Sequence, residues 1–149
     1  MTNCDVLRAI STAMNLDDDR LVEIFALAGH ELTARKAAAL VDPGEGTPCS
    51  EDRLRGFLDG VIIDKRGPRD PNLPPVVPER LTNNEILKKL RIAWNLKEID
   101  VLAAFAAGGQ ELGKSEASAL FRKRQNKHHR RCSDDTLAAF IRGLPVTAR

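Results

Sequence analysis

Apolar side chains fall at Val6, Leu7, Ile10, Ala13 and Met14, and again at Ile86, Leu87, Leu90, Ala93 and Trp94. Both runs follow the i, i+1, i+4, i+7, i+8 spacing that lays one apolar stripe along a helix. Thr82 and Glu85 head the later run as a capping box, in which each side chain meets the other residue's backbone N–H. Thr2 and Asp5 hold the same places in the earlier run, with a shorter acid. A second helix follows Asp17-Asp18-Asp19, acids suited to the positive end of the helix dipole. It turns Leu21, Ile24, Phe25 and Ala28 inward and stops at Gly29, which is free to take a left-handed turn. Thr33 caps a third helix, with Ala37, Leu40 and Val41 inward. The loop Asp42 to Pro48 follows. Ser50 caps a fourth helix, with Glu51 and Asp52 in its first turn and Leu54, Phe57, Leu58, Val61 and Ile62 inward. A matching helix runs from Ser133 through Leu137, Phe140, Ile141 and Leu144, and Pro145 ends it. Period-2 alternation persists nowhere, and Val61-Ile62-Ile63 reads as a helix end. The expected fold is all-α: a tandem repeat of two four-helix units joined by a Pro-rich extended linker.

The two units are copies. Residues 2–41 align with 82–121 at a constant offset of 80, and the match extends to polar positions. Asn15-Leu16 returns as Asn95-Leu96, Phe25-Ala26 as Phe105-Ala106, Gly29 as Gly109, and Glu31-Leu32 as Glu111-Leu112. Beyond a three-residue insertion the offset becomes 83, pairing Cys49-Ser50 with Cys132-Ser133, Phe57 with Phe140, and Gly60 with Gly143. A unit of roughly 65 residues is near the lower limit for folding alone. The copies are therefore expected to support each other, by packing together or by pairing with a second chain.

Five of the eight prolines lie between Gly67 and Pro78. Such a segment cannot be helical, and as an extended spacer its span is roughly 35 Å. The expected organisation is an acidic repeat at 1–66, a linker at 67–81 and a basic repeat at 82–149. Their net charges are −4, 0 and +6. Aromatic residues make up only 4% of the chain, so an aliphatic core is expected. The three cysteines are odd in number and form no CxxC pair, which argues against a secreted disulfide scaffold. The first residues lack a basic start followed by an apolar core, and no apolar run approaches membrane-spanning length. The expected location is the reduced cytoplasm.

The stretches TNNEILKKLRIAWNLKEIDVLAAF, SEASALFRK and CSDDTLAAFIRGL, with FLDGVIIDKRG at the end of the first copy, resemble the YehS-like family of bacterial proteins. The resemblance covers nearly the whole chain. It implies a duplicated helical domain of unknown function and brings no activity with it.

The densest chemistry lies at Arg122, Lys123, Arg124, Lys127, His128, His129, Arg130 and Arg131: six fixed positive charges and two histidines with no acid among them. Its counterpart, Asp42 to Pro48, is acidic. A cation-rich loop suits phosphate backbones, because each neutralised phosphate releases condensed counterions. The blander reading is a solvated surface loop, and no aromatic residue is interleaved for base stacking. A second candidate is a helix-turn-helix formed by the second and third helices, with Arg35 and Lys36 at the start of the reading helix. Any small helical domain uses the same turn to close its core.

His128 and Cys132 lie four apart without a second ligand pair, so no metal site is expected. Cys49 and Cys132 fill matching positions before a helix cap, which reads as a structural slot. No nucleophile with an orienting base, no oxyanion turn and no phosphate-cradling glycine motif appears. No catalytic or cofactor-binding residue is assigned, and no cofactor is expected. The expected function is therefore a non-enzymatic binding or adaptor protein, with a protein partner or self-association as a homodimer. The alternative is a nucleic-acid-binding regulator that uses the basic loop.

Overall fold

The computed structural model describes residues 1–75 and 79–145. Among them are eight helices and no strand: α1 (Asn3–Ala13), α2 (Asp18–Leu27), α3 (Ala34–Val41), α4 (Glu51–Arg66), α5 (Asn83–Trp94), α6 (Glu98–Ala107), α7 (Lys114–Leu120) and α8 (Asp134–Arg142). The all-α, duplicated architecture is thus the one the patterning implies. None of these helices is long and apolar enough to cross a membrane.

The starts are set by capping side chains. Thr33, Ser50 and Ser133 accept from the N–H groups of Lys36, Arg53 and Thr136. The complete capping box stands in the first copy, where Thr2 N–H donates to Asp5 at 2.8 Å and Asp5 N–H to Thr2 Oγ1 at 3.1 Å. In the second copy only half of it forms. Glu85 N–H reaches Thr82 Oγ1 at 3.3 Å, while Thr82 N–H donates to the Arg80 carbonyl at 3.0 Å. The backbone ahead of α5 has supplied the acceptor that Glu85 was expected to provide.

The duplication holds in backbone detail. Asn15 and Asn95 take φ of 53° and 54°, and Gly29 and Gly109 take 84° and 98°. Those left-handed residues reverse the chain between successive helices at equivalent places. A Cβ on Gly60 would stand 2.0 Å from the Ile24 carbonyl oxygen, and one on the equivalent Gly143 1.7 Å from that of Ala104. Hydrogen at these two positions lets α4 lie directly on α2, and α8 on α6.

Both copies share one apolar core. Helix α4 packs on α5, and α8 packs reciprocally on α1, so these helices form the seam between the copies. Helices α2 and α3 cover one side, and α6 covers the other with α7 against it. The expectation of an aliphatic core needs correction. Phe25 and Phe57 meet as tilted rings 5.5 Å apart between centroids, Phe105 and Phe140 at 4.8 Å, and all four are fully buried. Aromatics are few, yet each of these pairs fills the centre of its copy, and truncating such a ring to Ala typically costs about 3–5 kcal/mol.

Across the seam, Lys89 Nζ lies 2.6 Å from Asp59, and Lys65 Nζ sits 4.2 Å above the Trp94 ring. Trp94 is half-buried rather than fully inward, and its indole N–H donates to the Pro145 carbonyl at 3.0 Å. Among its described residues the linker contains no helix, but it is not straight. Leu73 N–H donates to the Asp70 carbonyl at 3.1 Å and Asn72 N–H to the Asp70 carboxylate at 2.9 Å. Asp70 and Asn72 thereby build a turn, and the Arg69 guanidinium closes over it onto the Leu73 and Pro74 carbonyls.

Candidate nucleic-acid interface

Helix α7 ends at Leu120, and the chain then runs without regular structure to the Ser133 cap of α8. Turns rather than side-chain burial shape this loop. Asn126 N–H donates to the Lys123 carbonyl at 2.9 Å, His129 N–H to the Asn126 carbonyl at 3.0 Å, and His128 N–H to Asn126 Oδ1 at 2.8 Å. Its two ends are tied by Asn84, in the first turn of α5. The Asn84 amide donates to the carbonyls of Leu120 and Arg130 at 2.9 and 2.8 Å, and its Oδ1 accepts from Cys132 N–H at 2.9 Å.

Arg122, Lys123, Arg124, Lys127, His128, Arg130 and Arg131 are exposed on this pinned loop. Arg130 lies 3.4 Å from Glu116, and the charge of Arg131 acts on Asp134. Arg122, Lys123, Arg124 and Lys127 make no ion pair with any described residue. His129 differs from its neighbours: it is half-buried, with its ring Nδ1 3.0 Å from the Arg122 carbonyl, and so braces the loop from inside. Beside Arg122 an open depression of about 220 Å³ is lined by Arg91, Glu98, Val101, Ala117, Ser118 and Phe121. The Arg91 guanidinium lies 4.9 Å over the Phe121 ring.

Arg35 and Lys36 are exposed in the first turn of α3, on the other copy, while Ala37 and Leu40 hold that helix in the core. No hydrogen bond or ion pair joins them to the basic loop. Cys132 is buried, and burial, with Asp134 nearby, pushes its thiol up to about 12. A protonated, enclosed thiol is a packing element, as its place before the cap implied. No three His, Cys, Asp or Glu side chains gather to hold a metal ion among the described residues.

Two features escaped the sequence reading. Asn84 braces the loop, although its position reads only as part of a helix start; the signal was its mismatch with Cys4 inside an otherwise well-matched segment. Helix α6 also presents Ile99 to solvent at 74% exposure, beside half-buried Leu102 and exposed Ala103 and Ala106. The equivalent face of α2 carries Asp19 and Glu23 in place of Ile99 and Ala103.

The chain is 37% identical over 148 residues to the uncharacterised protein YehS of Escherichia coli (strain K12), an alignment covering 97% of this chain and 94% of that one. No solved structure matches it. The family described as "Protein of unknown function (DUF1456)" matches residues 3–67 and again residues 83–149, so the protein belongs to that family and carries its unit twice.

Proposed function

We propose that this chain is a non-enzymatic binding protein of the reduced cytoplasm, and that loop Arg122 to Arg131 grips the phosphate backbone of a nucleic acid. The observation that carries this reading is a set of four cations, Arg122, Lys123, Arg124 and Lys127, that pair with no acid among the described residues, on a loop held at both ends by Asn84. Pinning the loop lowers the entropy lost when phosphates bind. The loop contains no apolar side chain, whereas the buried centre of a protein interface is enriched in aromatic and apolar residues. Phosphate recognition needs only cations and polar donors, and Gln125, Asn126 and His128 supply the latter. Such contacts favour affinity over sequence reading. Arg35 and Lys36, at the exposed start of α3, are the secondary contact points.

Binding of labelled single- and double-stranded oligonucleotides, measured by anisotropy over a salt series, tests this reading. The expected result is a steep salt dependence, with the log–log slope shrinking by about 0.7–0.9 per cation removed. Replacing Arg122, Lys123, Arg124, Arg130 and Arg131 together by Ser is expected to abolish binding. Equal affinity of that variant and the parent would overturn the reading.

A second reading, a protein partner or self-association as a homodimer, is favoured by a separate observation: the apolar face of α6 around Ile99. Sedimentation of the parent and of Ile99→Asp at matched concentrations tests it. A mass that falls with the substitution favours this reading, and an unchanged monomer overturns self-association through this face.

A further inference from the structure

The positions of Cys4 and Cys49 correspond to Asn84 and Cys132 at the two repeat offsets. In the second copy those positions touch, since Asn84 Oδ1 accepts from Cys132 N–H at 2.9 Å. The frame around them is shared as well. Asn3 donates to the Cys49 carbonyl at 3.1 Å, just as Asn83 donates to that of Cys132 at 3.1 Å. The first copy has therefore put a thiol at each of two positions that the fold holds within a side chain's length of each other. Cys4 Sγ donates to the Thr47 carbonyl at 3.0 Å, two residues before Cys49. Both cysteines are only half-buried, and both line an open cavity of about 620 Å³ between the first turn of α1 and the Asp42–Pro48 loop. Cys132, by contrast, is sealed in the core.

We infer that Cys4 and Cys49 form a dithiol site that a small peroxide converts to an intramolecular disulfide, tying α1 to the segment that enters α4. In the first step the Cys4 sulfur attacks one peroxide oxygen. The O–O bond breaks, water leaves after taking up the thiol proton, and Cys4 becomes a sulfenic acid. In the second step the Cys49 sulfur attacks the Cys4 sulfur. The S–S bond forms, the S–O bond breaks, and the departing hydroxide leaves as water with the Cys49 proton. The two sulfurs together give up two electrons, and the peroxide oxygens receive them. Burial, with the neighbouring Cys4 thiol, pushes the Cys49 thiol up to about 12. Cys49 gives up its proton as its sulfur attacks, because the thiolate is the attacking species in exchange at sulfur.

The test uses the full chain, treated with hydrogen peroxide and then quenched with a thiol-blocking reagent under denaturing conditions. The expected result is that the three free thiols fall to one. Non-reducing tryptic mapping should link the peptide of residues 1–8 to that of residues 37–53, with Cys132 still blocked as a free thiol. In Cys49→Ser, Cys4 should be trapped by dimedone as the sulfenic acid. Three blocked thiols after oxidation, a cross-link between two chains, or over-oxidation of Cys4 with Cys49 still free would each overturn the inference.

Discussion

The amino nitrogen of Met1 lies 2.8 Å from Oδ2 of Asp134, across the seam between the two copies. Its twin is the N–H of Leu81, which donates to Oε1 of Glu51 at 3.2 Å. Leu81 is Met1 shifted by 80, and Asp134 is Glu51 shifted by 83. Each copy thus ties the residue before its first cap to the first acid of the other copy's last helix. With α4 on α5 and α8 on α1, the chain is arranged like an isologous dimer fused into one polypeptide.

The Met1–Asp134 contact makes stability depend on pH in a defined direction. Hydrogen bonds from the Met1 amine and from Asn83 hold the Asp134 carboxyl below its ordinary value. Its contribution is present above the ordinary carboxylate pKa and is lost as pH falls through the lowered folded value. The amine is raised by its hydrogen bond to Asp134, so its contribution is present below the ordinary amine value and is lost as pH rises through the raised one. Urea midpoints of the parent and Asp134→Asn are expected to differ most near neutrality, to converge at acid pH, and only to narrow at alkaline pH, where Asn83 still holds the carboxylate.

Gly60 and Gly143 are predicted to tolerate no side chain. Gly60→Ala drives a Cβ into the Ile24 backbone carbonyl, which cannot swing aside, at an expected cost of about 2–3 kcal/mol. Gly56→Ala makes the informative contrast, because the atoms it meets belong to the His30 ring. Ring rotation, together with the better helix propensity of Ala, should leave that variant within about 1 kcal/mol of the parent. Chemical denaturation of the two variants side by side checks the difference.

Ser11 is buried with a hydroxyl that has no hydrogen-bond partner among the described residues. Removing an unsatisfied polar atom from the interior of α1 while improving helix propensity should stabilise the chain by about 0.5–1 kcal/mol. A lower denaturation midpoint for Ser11→Ala would contradict this.

Asn84→Ala strips both ends of the basic loop of their common brace and leaves three backbone groups to find water. The expected cost is about 1–3 kcal/mol. Amide exchange should accelerate at Arg130 and Cys132, while the amides of α2 in the first copy stay protected.

Much of this fold was legible in the chain. Thr33, Ser50 and Ser133 announce their helices because capping is a local contact between residues three apart. Gly29 and Gly109 announce their turns because the left-handed conformation is a local constraint. The seam was not legible. Glu51 meets Leu81, and Lys89 meets Asp59, through tertiary packing that no periodicity encodes. The same holds for the candidate site. The cations of Arg122 to Arg131 are plain in the sequence, but Asn84 sits 36 residues before Leu120 and meets it only once α5 has packed. The internal alignment held clues at its mismatches, Cys4 for Asn84 and Asp19 for Ile99, where one copy departs from the other's chemistry.

The fused arrangement means that the copies should unfold together. Trp94, the single tryptophan, lies in the second copy under Lys65 of the first, whereas far-ultraviolet circular dichroism reads the helices of both. Urea unfolding followed by both probes on one sample is predicted to give a single transition with coincident midpoints. Two separated transitions, with tryptophan emission following only one of them, would contradict a shared core.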